Sequence, residues 1–423
     1  MELGTPPRTF SVVLDTGSAD LWIAGSGCTA SSGCTQRTHL YELSQSTSMQ
    51  HQSRSQTPDT DSALATFNVS YGFGEASGNL VSDVVSMAGF TIPDQTFASC
   101  NVVSAGLVTG NVSGILGLGF QTISTSQAMP FWQALATNYS NQLAQFNSSD
   151  SSHNDTTGNE TGVAEGSFEM GFAFTRFLHD PESVTHPMRG GSMSFGHRNE
   201  SLYTGDIVWN ELTQVGYWMI QMDDIALDNS SMGIQSATVA IDTGTSLIGG
   251  PSDAVQRIFS KIPGSAPSSD PLYKGYYTFP RHTEVNISLM FNGIAYPVSP
   301  YDFNLGSVSL HSDCIGAVFS LDAAPSTTSP LSAAVDDPIS NSTSVDPDWI
   351  VGDSFLKNVY TVFRYENPRA VGFAQLSSAA LDLSNTQGAA FMTQAAAGSS
   401  AREIGTLAVT AALIVTVAST LYA

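Results

Sequence analysis

An Asp-Thr-Gly triplet occurs twice in this sequence of 423 residues, each time at the end of an apolar run. Val13-Leu-Asp-Thr-Gly-Ser18 returns as Ala240-Ile-Asp-Thr-Gly-Thr245, so Asp15 and Asp242 stand 227 positions apart. Each copy is followed far downstream by two apolar residues and a glycine, Ile115-Leu-Gly117 and Ile350-Val-Gly352. One such triplet is an ordinary strand-ending turn, because Asp and Gly are turn formers. Two copies at the spacing of a whole domain imply a duplicated unit. Each unit then presents one carboxylate on a tight turn that glycine permits, and a pair of positioned carboxylates can supply a general acid and a general base.

Other chemistries lack their residues. There is no Cys-x-x-Cys and no Cys/His spacing suited to zinc, no Gly-x-Ser-x-Gly and no phosphate-binding Gly-x-x-x-x-Gly-Lys. No metal and no cofactor are expected. The 14 Lys and Arg are set against 37 Asp and Glu, a net charge of −23, which excludes a counterion-releasing grip on nucleic acid. Charged residues make up only 12% and hydrophobic ones 41%, so the chain is neither a disordered polyelectrolyte nor a coiled coil.

The elements that must hold the two carboxylates read as short alternating strands broken by glycine, such as residues 10–14 and 67–71. Strand patterns resume at 167–177 and 191–195, and convincing helical stretches are confined to 130–138 and 252–261. The fold class is all-β with minor helix, in two similar lobes: residues 1–180 with Asp15 and 181–376 with Asp242. Polar stretches at about 137–166 and 323–346 read as solvated insertions, the first of them glycosylated. After Leu376 the pattern dissolves into an Ala/Ser-rich stalk, residues 377–403, and a hydrophobic tail, residues 404–423.

Processing signals point outside the cytosol. Asn-x-Ser/Thr sequons begin at Asn68, Asn111, Asn138, Asn147, Asn154, Asn159, Asn199, Asn229, Asn286 and Asn341. With few lysines and four cysteines they fit a glycoprotein of the secretory pathway, extracellular or at the cell surface, or vacuolar if the tail is not processed. Cys28 and Cys34 flank a Ser/Gly loop and are expected to pair. Cys100 and Cys314 have no local partner, which leaves a long-range bridge and two buried thiols both open. The uncharged tail follows small residues, Ala395 to Ala401, and no basic residue comes after it. That pattern fits a GPI-attachment signal better than a transmembrane helix, and so membrane or wall attachment through a lipid anchor.

These motifs resemble the pepsin-like aspartic endopeptidases. Leu14-Asp-Thr-Gly-Ser-Ala-Asp-Leu-Trp22, Ser70-Tyr-Gly-Phe-Gly74, Gly114-Ile-Leu-Gly-Leu118, Gly216-Tyr-Trp218, Ile241-Asp-Thr-Gly-Thr-Ser246 and Trp349-Ile-Val-Gly-Asp353 occur in the order of that family. Tyr360-Thr-Val-Phe363 and Val371-Gly-Phe373 follow. The sequons, insertions and tail are similar to those of fungal cell-surface members. The resemblance implies a bilobal fold with Asp15 and Asp242 facing each other on the floor of a central cleft, sharing one proton as such pairs are known to do. It implies that Gly17 and Gly244 let backbone N–H groups reach the carboxylates, that Ser18 and Thr245 bond their outer oxygens, and that Thr16 and Thr243 tie the lobes together. Tyr71 and Gly72 match a flap over the substrate, Trp22 matches the partner of that tyrosine, and Ile115 and Ile350 match apolar subsites. Protein or peptide substrates, a monomeric state and an acidic working range follow, the alternative being a catalytically inactive binding relative.

Four positions depart from the pattern: Ser113 and Phe73, Arg281 where a cysteine is usual, and Arg364 where Asp is common. Met1 falls where such proteins have a strand residue, which leads us to expect upstream signal, propeptide and first-strand sequence.

Overall fold

The computed structural model describes residues 1–53, 64–72, 74–138, 167–176, 190–307, 313–322, 346–366, 368–381 and 406–407. The insertions, most of the stalk and nearly all of the tail lie outside these residues, as do Phe73 and the sequons at Asn147, Asn154, Asn159 and Asn341. Strands dominate. The first half builds a nine-stranded sheet, and the second builds a six-stranded sheet flanked by two four-stranded ones. A further sheet of six strands joins Glu169–Phe174 and Gly191–Phe195 to Tyr203–Glu211, Tyr360–Arg364 and Ala370–Leu376, with the short Thr406–Leu407 at its edge.

The duplication seen in the sequence is a duplication of topology. Ser11–Asp15 runs parallel to Val112–Gly117, and Leu21–Ala24 then pairs antiparallel with that same strand, Leu21 opposite Leu116. In the second half Ala237–Ile241 runs parallel to Trp349–Val351, and Ile248–Gly250 pairs antiparallel with it, Ile248 opposite Val351. Each Asp-Thr-Gly turn therefore leaves one strand and re-enters the other side of the same neighbour. Leu21–Ala24 and Trp349, Val351 are buried, which accounts for their unbroken apolar character in place of alternation.

Hairpins around this frame turn through left-handed residue pairs that match strand twist. Ala88-Gly89 joins Gly74–Met87 to Phe90–Val103, and Asn292-Gly293 joins Ile287–Phe291 to Ile294–Val298. The helix at 252–261 is observed over Ser252–Ser260, with Ala254, Val255, Ile258 and Phe259 turned into the core. Residues 131–138 are helical as well. Residues 377–381, inside the stretch read as a stalk, pack against the second half. Ser378–Leu381 forms a short helix because Ser377 accepts the Ala380 N–H at 3.2 Å and donates to the Ser201 carbonyl at 2.6 Å, which buries Ala380.

An aromatic cluster fastens the two halves below the cleft. Phe120 and Trp132 of the first half pack with Trp218, Phe363 and Tyr365 of the second, at ring separations of 4.6–5.5 Å for the closest pairs. Both indoles are also anchored: Trp132 Nε1 donates to the Gly119 carbonyl and Trp218 Nε1 to that of Leu118, each at 2.8 Å. Arg364 lies 3.9 Å above the Trp209 ring and opposite Glu169 on the next strand, so a cation fits where Asp is common. Among the described residues no helix is long and apolar enough to cross a membrane.

Cys28 and Cys34 are bonded, whereas Cys100 and Cys314 are buried free thiols, which settles the alternative left open by the sequence. Arg281, which stands where a cysteine is usual, donates to Ser307 Oγ at 2.7 Å. Thiol titration should find no reactive group in the native protein and two after denaturation. Cys28→Ser with Cys34→Ser should cost about 2 kcal/mol of stability, the loop-closure value for so short a ring. One fast-reacting thiol in the native state would contradict this burial.

Candidate active site

Asp15 ends the first apolar strand, and Asp242 directly follows the equivalent one, Ala237–Ile241. Their backbones are fixed by the parallel neighbours: Leu118 N–H donates to the Asp15 carbonyl at 2.7 Å, and Asp242 N–H to the Val351 carbonyl at 3.0 Å. Both side chains are buried, at 6% and 8% exposure. Gly17 N–H donates to Asp15 Oδ1 at 2.9 Å and Ser18 Oγ to Oδ2 at 2.5 Å. Gly244 N–H donates to Asp242 Oδ1 at 2.8 Å and Thr245 Oγ1 to Oδ2 at 2.5 Å. The two donor sets are the same, position for position.

The glycines show how close the halves come. A Cβ on Gly17 would stand 2.5 Å from the carboxyl carbon of Asp242, and one on Gly244 would overlap Oδ1 of Asp15. Each glycine thus leaves room for the carboxylate of the opposite half. Below them Thr16 N–H donates to Thr243 Oγ1 at 3.1 Å while Thr243 N–H donates to Thr16 Oγ1 at 2.9 Å. The hydroxyls then donate onward, Thr16 to the Ile241 carbonyl at 2.8 Å and Thr243 to that of Leu14 at 2.7 Å. Four hydrogen bonds cross between the halves at one point, all at least partly buried.

This closeness sets the electrostatics. Burial first, and then the charge of Asp242, hold the Asp15 carboxyl well above the usual carboxylate range, against the pull of the Ser18 and Gly17 donors. Above the pair, Tyr71 OH accepts from Trp22 Nε1 at 2.8 Å. Burial and the negative charge of Asp15 push the Tyr71 phenol well up, so it stays neutral. Tyr71 and Gly74 pair across the hairpin tip with Gly72 in the turn. Ile115 is buried in the cluster that holds Trp22, against which Tyr71 packs, while Ile350 is only half-buried.

Three residues near the pair carry more than their place in the motifs discloses. Asp20 is buried and its carboxylate takes four donors from one loop: Ser124 Oγ, Thr125 N–H, Ser126 N–H and Ser126 Oγ, at 2.5–3.1 Å. That loop begins where Phe120 N–H meets the Gly216 carbonyl of the other half at 3.0 Å. Tyr217, half-buried, is raised to about 12 by burial and then by the charges of Asp346, Asp242 and Asp15, so it belongs to the surroundings of the pair. Asp353 is buried with its Oδ1 lacking a hydrogen-bond partner among the described residues. Only this burial distinguishes Asp353 from any acidic residue of a helix start, and burial is not written in a local sequence.

Burial raises the Asp353 carboxyl to about 7, Lys357 opposing the shift and Asp242 adding to it. The folded chain therefore binds this proton from about pH 4, where an unfolded Asp releases it, up to about pH 7. The stability it brings is complete below the unfolded value and is lost as pH rises through the folded one, on the order of a few kcal/mol. Urea midpoints at pH 4 and pH 7 should differ in that direction, and Asp353→Asn should shrink the difference. An undiminished difference in the variant would assign the loss to other groups.

The comparisons with known proteins agree with this architecture. The sequence profile of the family described as "Eukaryotic aspartyl protease" matches residues 1–163 and 173–376. The chain is 38% identical over 389 residues to Major aspartyl peptidase 1 of Cryptococcus neoformans var. grubii, covering 89% of this chain and 68% of that protein. It is 30% identical to an aspartic protease of Phaffia rhodozyma, covering 87% and 74%, and 27% identical to cathepsin E-B of Xenopus laevis, covering 88% and 78%. With duplicated strands that end in paired carboxylates, and with this extent of similarity, the chain belongs to the eukaryotic aspartyl proteases and is an aspartic endopeptidase.

Proposed function

We propose that Asp15 and Asp242 are the catalytic pair and hydrolyse peptide bonds in acid by activating a water held between them. The reciprocal donor sets around the two carboxylates, in van der Waals reach of each other's glycine, carry this reading. Two such groups hold one proton more readily than none, so the pair titrates as a unit. The charged carboxylate takes a proton from water as the water attacks the scissile carbonyl. Its protonated partner donates to the carbonyl oxygen, and a proton then passes to the leaving amine. The Gly17 and Gly244 amides and the Ser18 and Thr245 hydroxyls hold the outer lone pairs, so neither carboxylate can rotate out of plane. The Thr16–Thr243 lock keeps the two at fixed separation. Tyr71 and Gly72 form the flap, steadied by Trp22, and Ile115 and Ile350 contribute apolar wall to the substrate subsites.

Residues 1–180 and 181–376 serve as the two lobes of a monomer acting on protein or peptide substrates. The sequons, the Cys28–Cys34 bond and the uncharged tail support passage through the secretory pathway and a GPI anchor attached near residues 397–400. Phosphatidylinositol-specific phospholipase should then release activity from membranes or walls, and a mature protein that retains Ala423 would exclude the anchor.

Activity should follow a bell in pH with an acidic optimum, falling towards neutrality as the shared proton is lost. Asp15→Asn and Asp242→Asn should each remove nearly all turnover, and the double variant should be no worse, because the pair acts as one. A statine peptide, whose hydroxyl mimics the tetrahedral intermediate, should inhibit, while chelators should not. Hydrolysis of a quenched peptide over pH 2–8 is the assay. Full turnover in either Asn variant would refute the assignment.

A further inference from the structure

The sequon Asn68-Val-Ser70 lies in the strand that leads into the flap, Thr66–Tyr71, with Asn68 three residues before Tyr71. Alternation along that strand decides which way it faces. Phe67 is buried in the cluster with Trp22 and Ile115, and Val69 and Tyr71 pack against it. Asn68 is exposed on the opposite, outer face. It stands across from Ser77, and Ser77 across from Val102, whose side chain is an exposed apolar group at 47%. Asn68, Ser77 and Val102 thus form one row on the outer face, about 10 Å long at the usual strand spacing. The sequons at Asn199 and Asn286 are differently placed. Asn199 is half-buried, its Oδ1 accepting from both the backbone and the hydroxyl of Ser201, and the Asn286 amide donates to Asp228 Oδ1 at 3.1 Å on the second half.

We infer that Asn68 carries an N-linked glycan lying over Ser77 and Val102, and that this glycan restricts the cleft to small or unfolded substrates. The donor is a polyprenyl-diphosphate-linked oligosaccharide. Asn68 Nδ2 bonds to the anomeric carbon of its first sugar, the bond from that carbon to the diphosphate breaks, and the diphosphate leaves with the electron pair while the amide gives up one proton. The first sugars then cover Val102, a side chain otherwise left in water. The outer sugars ride on the flap and occupy the space through which the body of a folded protein must approach. A short peptide passes beneath them. The inference rests on the proposed secretory route.

The test uses the full chain expressed through the secretory pathway of a yeast host. Glycopeptide mapping should find sugar on Asn68 as well as on the exposed Asn229 and Asn286. Asn68→Gln, or enzymatic deglycosylation of the folded wild type, should raise kcat/KM for a folded protein substrate threefold or more and change that for a quenched peptide by less than 1.5-fold. Ser70→Thr, which keeps the sequon, should behave as wild type, and Asn229→Gln should change neither substrate. A bare Asn68 beside occupied Asn229 and Asn286 would overturn the inference alone. Sugar at none of the three would overturn it together with the secretory route. A glycan at Asn68 whose removal changes both substrates equally would refute the size selection.

Discussion

Everything in this molecule is arranged around a contact that its own charges oppose: two carboxylates from distant parts of one chain, held side by side in a buried place. Repulsion and desolvation both act against it. The opposing force is a knot of four hydrogen bonds in which Thr16 and Thr243 each donate to and accept from the other half. Such bonds contribute roughly 1 kcal/mol each in net terms, but a buried donor left without its partner costs about 1–3 kcal/mol. The knot is therefore hard to open one bond at a time. The aromatic cluster beneath it adds apolar burial from both halves, and through the carbonyl held by the Trp218 indole it reaches the residue whose N–H fixes Asp15.

The strands beside the carboxylates and the hairpin that carries Tyr71 are held by different means. Val112–Gly117 is buried and pairs on both sides, with Ser11–Asp15 and with Leu21–Ala24, and the turn after Ser11–Asp15 holds the Asp15 carboxylate on donors two and three residues away. The hairpin of Thr66–Tyr71 and Gly74–Met87 turns Asn68 to solvent and turns Phe67, Val69 and Tyr71 towards Trp22 and its neighbours. The Trp22 indole donates to the Tyr71 phenol and ties that hairpin to the strand Leu21–Ala24.

The parts of this design that the sequence discloses are those that need a particular residue at a particular local offset. The Asp, the Gly two residues on and the Ser or Thr three residues on are readable because each acts on its own turn. The Cys28–Cys34 ring is readable for the same reason. What was not readable depends on partners far along the chain. The four donors to Asp20 lie more than 100 residues away, on a loop with no distinguishing composition. Asp353 stands out only because it is buried with its Oδ1 lacking a partner among the described residues. The short helix Ser378–Leu381 was not readable in the Ala/Ser-rich stretch because Ser377 caps it on a contact with Ser201, 176 positions earlier.

The central claim is that Asp15 and Asp242 act as one group with a single proton between them. Neutron diffraction from crystals exchanged into deuterated buffer near the acidic activity optimum locates that proton directly. One deuteron on the inner oxygens of the pair, with the outer oxygens accepting deuterons from Ser18 and Thr245, is the predicted result. Two deuterons, one on each carboxyl, or none at all, would contradict it.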